Sequence, residues 1–331
     1  RFYKMVNDTV IVISALTAGL AFVYYRLRCY FAGGVCTNTV SMKGKTVIIT
    51  GANTGLGKET ALELARREAR VILACRSLEK GQKAADEIRA KVRDATVVVK
   101  SLDLSSLESV RTFASEILKE EVRLDVLINN AGVYMDPPVP KTQDGFEMHF
   151  GVNHLGHFLL TNLLLDLLEK SSPSRIVVVS SSLAKRASID FDNIHGEKGH
   201  EKPGRGYRMK GPYAQSKLAN MLFAHELNKR LPDGVTVNSL CPGLCWTELH
   251  RNSKLSLLKK LFLYPIATVV TKRPWEGAQT IVYCATEEKL KQVSGAIFAD
   301  CDVKEFPPNT RDDGVARKLW ELSENLTQKG E

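Results

Sequence analysis

Two hydrophobic rhythms alternate along the chain. Short runs of β-branched residues are separated by stretches in which apolar residues return every three or four positions. The first rhythm predicts strands over Thr46–Thr50, Arg70–Ala74, Thr96–Leu102, Val126–Asn129, Ile176–Ser180, Val235–Leu240 and Ala296–Ala299. The second predicts amphipathic helices over Leu56–Arg67, Leu78–Val92, Leu107–Lys119, Gly145–Glu169 and Tyr213–Lys229. Runs such as VIIT, VVVK and IVVVS are apolar on both faces, as expected where helices cover both sides of a parallel sheet. The expected fold class is α/β, a single doubly wound parallel-sheet domain over residues 44–331.

Ahead of this domain, residues 1–43 read as a hydrophobic anchor and connector. From Thr9 to Tyr25 there are 17 residues without a charge, closed by Tyr24, Tyr25, Arg26 and Arg28. As a helix they span about 26 Å, close to the core of a thin, reticulum-type bilayer. The rival readings are a cleaved signal peptide, whose apolar region is usually shorter, and a helix docked on the protein. Arg1 and Lys4 precede the segment, whereas Arg26, Arg28, Lys43 and Lys45 follow it, which leans toward a cytosolic body. The expected location is therefore a membrane, of the endoplasmic reticulum with the folded domain in the cytosol, a mitochondrial membrane being the alternative.

Composition refines this picture in two ways. At 331 residues with 44% hydrophobic and 25% charged, the chain can bury a large core. The net charge of +9 suits a nucleic acid, an anionic membrane surface or a polyanionic cofactor. The basic residues are dispersed and form no stripe with stacking aromatics, so nucleic acid is set aside. The 7 cysteines contain no CxxC and form neither a disulfide framework nor a zinc site, and no metal is expected.

The first strand runs into Thr50-Gly51-Ala52-Asn53-Thr54-Gly55-Leu56-Gly57, and a helix opens at once. Gly51 allows a tight turn, Gly55 lets backbone approach a pyrophosphate, and Gly57 lets the helix pack near the strand. With Asn53, Thr54 and Leu56 they form a Rossmann-type cradle at a positive helix end. A plain strand-to-helix turn would need only one glycine. About 20 residues further on, where an NAD-binding domain places an acid on the ribose, this chain has Arg76. An arginine there pairs with a 2′-phosphate, which favours NADP(H); a solvent-facing loop arginine is the alternative.

Of 9 tyrosines only Tyr213 has a lysine four residues on, Lys217, so that on a helix the two side chains share a face. A nearby ammonium stabilises phenolate and permits proton transfer to or from a substrate oxygen. A YxxxK pair by itself also fits ordinary helix surface.

Its company is more specific. TGANTGLG at 50–57 is followed by Asp103-Leu104 after the third strand and Asn129-Asn130-Ala131-Gly132 after the fourth. Asn153 lies in the next helix, Ser180-Ser181-Ser182 after the fifth strand, and Pro242-Gly243 with Thr247 after Tyr213 and Lys217. In order and placement this resembles the short-chain dehydrogenase/reductase family over residues 44 to about 325. ACRSLEKG, VNHLGHF, SKLAN, VARKLW and the hydrophobic amino-terminal segment resemble its membrane-bound retinol dehydrogenase branch.

The resemblance implies roles. Tyr213 would be the general acid or base, Lys217 would lower its pKa and hold the nicotinamide ribose, and Ser181 would polarise the substrate carbonyl, with Ser180 or Ser182 as one-residue alternatives. Asn153 would hold a water in a proton relay, or merely relieve a helix kink. Asp103 and Leu104 would meet adenine, Asn130, Ala131 and Gly132 would back the cofactor cleft, and Pro242, Gly243 and Thr247 would face the carboxamide. The implied activity is NADP(H)-dependent interconversion of a lipophilic alcohol and its carbonyl, with retinol and retinal leading. The alternatives are a steroid, prostanoid or lipid-aldehyde reductase and a membrane-tethered NADP(H)-binding scaffold without turnover. A homo-oligomer is compatible with the sequence. Residues 197–210 form a charged insert between Ser181 and Tyr213, and residues 254–264 interleave leucines with lysines, as an interfacial lid would.

Overall fold

A computed structural model describes residues 2–197, 211–245 and 267–328. In chain order the elements are α1 (Phe2–Ala32), β1 (Thr46–Thr50), α2 (Gly55–Arg66), β2 (Arg70–Cys75), α3 (Leu78–Lys91), β3 (Val97–Ser101), α4 (Leu107–Glu120) and β4 (Val126–Asn129). A π-helical turn (Gly151–Leu155) then leads into α5 (Gly156–Leu163) and α6 (Leu165–Lys170), followed by β5 (Ser174–Val179), α7 (Pro212–Asn228) and β6 (Val235–Cys241). The chain continues through α8 (Pro274–Thr286), β7 (Ile297–Ala299), β8 (Asp302–Val303) and α9 (Asp313–Gln328).

The strands form one sheet in the order β3-β2-β1-β4-β5-β6-β7-β8, parallel except for β8. Alternation along each strand divides the core. Ile48, Ile72, Leu127 and Ile176 join Phe113, Ile117, Phe158, Phe223 and Trp320 on one face. Val47, Ile49, Val71, Leu73 and Ile128 join Leu64, Ala84, Ile88 and Ile281 on the other. Strand order reverses between β1 and β4, so their carboxyl ends border an open crevice, the usual ligand position in such sheets.

Two expectations changed. The single helix over Gly145–Glu169 is broken. Gly145 has φ +84°, Glu147 caps the restart by accepting from Phe150 N (2.8 Å), and a π-helical turn precedes α5. The pattern also left α8 and α9 unassigned. α1 is longer than the apolar segment, and Ile13, Leu16, Leu20 and Phe22 on it are exposed. Among the described residues no helix is long and apolar enough to cross a membrane. Thr247, the 254–264 segment and all but Glu197 of the charged insert lie outside the described residues.

Candidate active site

Two turns meet across the crevice. After β1, Gly51 takes left-handed backbone (φ +65°) and donates its N–H to Ala74 O (2.8 Å). A Cβ on Gly57 would stand 2.6 Å from both Gly51 O and Asn130 Nδ2, so α2 opens this close to β1 only with glycine there. After β4, Asn130 Nδ2 donates to Thr50 O (2.8 Å), and the N–H groups of Asn130 and Ala131 both donate to Thr50 Oγ1 (2.9 Å each). Thr54 holds the N-cap position without a side-chain cap, and the first turn of α2 carries no acid. The helix therefore keeps its opening N–H groups and positive end for an anion, which fits a pyrophosphate.

The outer rim carries the residues expected at the rest of a dinucleotide. Arg76 is exposed just past β2 and has no ion pair among the described residues. Asp103 fixes its Oδ1 on Ser105 N–H (2.9 Å) and Ser105 Oγ–H (2.7 Å), next to buried Leu104. Beyond β6, the Pro242-Gly243 turn takes φ +87° at Gly243.

The side chains expected to handle the proton converge beside this rim. Tyr213 and Lys217, on the first turns of α7, are 7% and 3% exposed, and the Lys217 ammonium lies 5.9 Å from the Tyr213 ring centre. Lys217 Nζ donates to Val179 O (3.1 Å) at the end of β5. Ser181 hydrogen-bonds Tyr213 and also accepts from Leu183 N (3.3 Å). Its neighbours are placed otherwise: Ser180 is buried with its hydroxyl on Lys217 O (2.6 Å), and Ser182 is exposed. Asn153 accepts from Val133 N (2.7 Å) and donates through Nδ2 to Val133 O (3.1 Å) and Ser216 Oγ (2.9 Å). A Cβ on Gly132 would stand 3.3 Å from Lys217 Nζ and 3.4 Å from Asn153 Oδ1, so the β4 turn, the π-helical turn and α7 share one point.

Burial dominates the electrostatics. It pushes the Tyr213 phenol up, against the hydrogen bond from Ser181, and draws the Lys217 ammonium down to about 8. Both groups are thus held toward their neutral forms.

Several contributing residues carried no assignment from the sequence. His157 Nδ1 lies 3.0 Å from Asn153 O, which can only accept, so Nδ1 carries the proton. Burial draws this ring down to about 4, so it is neutral, and Nε2 accepts from Thr50 Oγ1 (2.8 Å). One histidine thereby ties the π-helical turn to the start of the glycine turn. Its i, i+4 spacing from Asn153 was the available signal. Tyr134 and His149 pack edge-on against Tyr213, with ring centres at 5.3 and 6.1 Å. His149 is fixed in turn, accepting from Met135 N (3.0 Å) at Nε2 and bonding Glu147 Oε1 (2.6 Å) at Nδ1.

A crevice at a sheet reversal, an uncapped glycine turn and a group of buried Tyr213, Lys217 and Asn153 with half-buried Ser181 suit a nicotinamide-dependent oxidoreductase. The family model for short chain dehydrogenases matches residues 45–192, and the chain belongs to that family. It is accordingly an oxidoreductase acting on CH–OH groups, and the family binds a nicotinamide cofactor. Among similar proteins, Retinol dehydrogenase 14 of Homo sapiens is 50% identical over 297 residues, 86% of each chain. Retinol dehydrogenase 13 of Homo sapiens is 49% identical over 91% of this chain and 89% of its own. A crystal structure of an uncharacterized protein from Mycobacterium Paratuberculosis superposes with TM-score 0.69 at 34% identity, covering 89% of this chain and 98% of that one.

Proposed function

We propose that this chain interconverts retinol and retinal with NADP(H) at a membrane surface. The substrate reading rests on identity of 49–50%, over most of the chain, to proteins named retinol dehydrogenases. The cofactor reading rests on Arg76, an exposed cation where a 2′-phosphate would lie and where an acid would select NAD. The membrane reading rests on α1, whose exposed apolar residues Ile13, Leu16, Leu20 and Phe22 suit lipid better than water. Residues 1–43 thus attach the catalytic domain, 44–331, to the bilayer.

The bound nicotinamide supplies or accepts the hydride. The residues that would hold the cofactor are Gly51, Asn53, Thr54, Gly55, Leu56 and Gly57 at the pyrophosphate, and Asp103 and Leu104 at adenine. Asn130, Ala131 and Gly132 would stand behind it, with Lys217, Pro242 and Gly243 toward the nicotinamide; Thr247, outside the described residues, is assigned to the carboxamide by the family resemblance alone. In the reductive direction Tyr213, which burial keeps protonated, gives its proton to the substrate oxygen, and Ser181 donates to the same oxygen as charge develops there. Lys217 places its ammonium behind the phenol, and Asn153 holds Val133 and Ser216 in register around it.

The test is a turnover screen of the full chain with NADPH and NADH against retinal, steroid ketones and medium-chain aldehydes. The expected result is preference for retinal and for NADPH. Arg76→Asp should weaken NADPH by about 2 to 4 kcal/mol, read as the ratio of kcat/KM values. Equal kcat/KM for the two cofactors in the parent protein would overturn the NADP(H) reading, and preference for a steroid ketone would overturn the retinal one.

A further inference from the structure

The start of α8 joins four parts of the molecule. Lys272, two residues ahead of the helix, is buried. Its N–H donates to Leu244 O (2.7 Å), which pairs it with the loop after β6, and its ammonium pairs with Asp300 in the β7–β8 turn. Its aliphatic stem lies against Gly243, where a Cβ would stand 2.9 Å from Cε and 3.2 Å from Cδ. Further along, Gly277 lies against Leu56 of the glycine turn and Cys245 of the β6 loop.

The connector that follows α1 closes over this junction. Arg28 pairs with Glu276, and Cys36 N donates to Gln279 Oε1 (3.1 Å). Gly33 lies against the Lys272 ammonium and the Asp300 carboxylate, and Gly34 against the Asp300 carbonyl. Asp300 and Cys301 both hold left-handed backbone (φ +55° and +59°), and Cys301 N donates to Thr280 Oγ1 (3.2 Å) on α8. Aspartate tolerates that conformation, whereas a cysteine persists in it where its surroundings hold it there.

We propose that Lys272 is a positioning residue for the nicotinamide end of the cofactor cleft, and that the connector Gly33–Cys36 is the clamp that keeps it in place. The proposal rests on the reading of the crevice as a dinucleotide site. A buried ammonium is retained where it is paired and shielded, and here Asp300, itself half exposed, pairs it while Gly33 of the connector lies over the ammonium. Gly33 and Gly34 both lie where a side chain would drive into that pair or its carbonyl, so the connector is a fitted cover and not a loose tether. The separation of Leu244 and Cys245 from Leu56, which sets the nicotinamide end against the pyrophosphate end, then depends on the bonds of Lys272. A displacement of about 1 Å in such a frame lowers a rate by up to about a hundredfold. The segment leading to the membrane thereby bears on turnover without touching the substrate.

The experiment uses the full chain in detergent with NADPH and a water-soluble aldehyde, and reads cofactor KM, kcat and Tm with and without NADP+. Lys272→Met keeps the stem and removes the charge, and should raise the NADPH KM about tenfold or more, with a smaller fall in kcat. Lys272→Arg should recover part of that loss, because a guanidinium still reaches Asp300. Gly34→Ala leaves Lys272 intact and its backbone is not left-handed, yet its Cβ meets the Asp300 carbonyl; it should raise the same KM and shrink the Tm gain on adding NADP+. Should Lys272→Met fail to fold, Gly34→Ala and Asp300→Asn give the same readings. Wild-type KM in these variants, or kcat falling only in step with the folded fraction, overturns the proposal. A parent protein that binds no NADPH overturns the cofactor reading, and this proposal with it.

Discussion

The three serines after β5 sit in three environments, and only one meets the tyrosine. Ser180 is turned inward onto Lys217 O, Ser182 is exposed, and Ser181 bonds Tyr213. The resemblance pointed to Ser181 with Ser180 and Ser182 as alternatives, because a one-residue shift on a strand exchanges inward and outward faces and nothing local fixes the strand's end. Ser181→Ala should lower kcat by about 10²-fold with cofactor KM unchanged, and Ser182→Ala should leave both near wild type. Ser180→Ala should cost about 0.5 to 1.5 kcal/mol of stability, read from urea midpoints. The Tyr-Lys spacing was legible, but its electrostatics was not, because burial of both groups appears only in the fold. Tyr213 is held up by burial and stays protonated, while Lys217 loses its proton as pH rises through about 8. Retinal reduction should therefore hold below about 8 and fall above it. Lys217→Arg, whose charge does not titrate there, should move that limb upward while lowering the rate. A limb that stays in place would assign it to another group.

At the scale of elements, seven strands were legible because their runs are β-branched and, except on half-buried β3, buried, and their observed ends differ from the expected ones by only a residue or two; the two-residue exposed β8 carried no such pattern and was missed. The helices were legible only where nothing interrupted the period. Between Gly145 and Lys170 the apolar pattern continues through a left-handed glycine, a restart at Glu147 and a π-helical turn, since all of these still bury Phe150, Leu155 and Phe158. The break serves the site, because it aims the Asn153 side chain at Val133 and Ser216 and leaves its carbonyl to His157. α8 escaped notice because Gly277, Thr280, Val282 and Tyr283 are weak helix formers, and Gly277 is there for close approach to Leu56 and Cys245. α9 contributes Trp320, which stacks on Phe223 at 5.9 Å and meets Phe158 edge-on at 4.9 Å. Trp320→Ala should lower stability by about 3 to 5 kcal/mol with KM values unchanged in the folded fraction, measured by denaturant unfolding. A change below about 1 kcal/mol would mean that α9 is not part of the cooperative core.

For the whole molecule, the doubly wound class was legible from alternating strands and helices, and the cleft from the glycine turn after β1, whereas the strand order β3-β2-β1-β4-β5-β6-β7-β8 came only with the fold. The connector between α1 and β1 was not legible. Its contacts with Gln279 and Asp300, and that of Arg28 at the end of α1 with Glu276, join residues more than 240 positions apart, and no local pattern announces them. These contacts set α1, with its exposed apolar residues, on the same body that carries Tyr213. The central claim is that this body reduces retinal through a proton from Tyr213, and it is tested by retinal-dependent NADPH oxidation in liposomes with the full chain and with Tyr213→Phe. The account predicts one retinol formed per NADPH consumed in the parent. In the variant it predicts turnover lower by about 10²- to 10⁴-fold, with NADPH affinity by fluorescence titration nearly unchanged. A variant that keeps more than about a tenth of the parent kcat would contradict it.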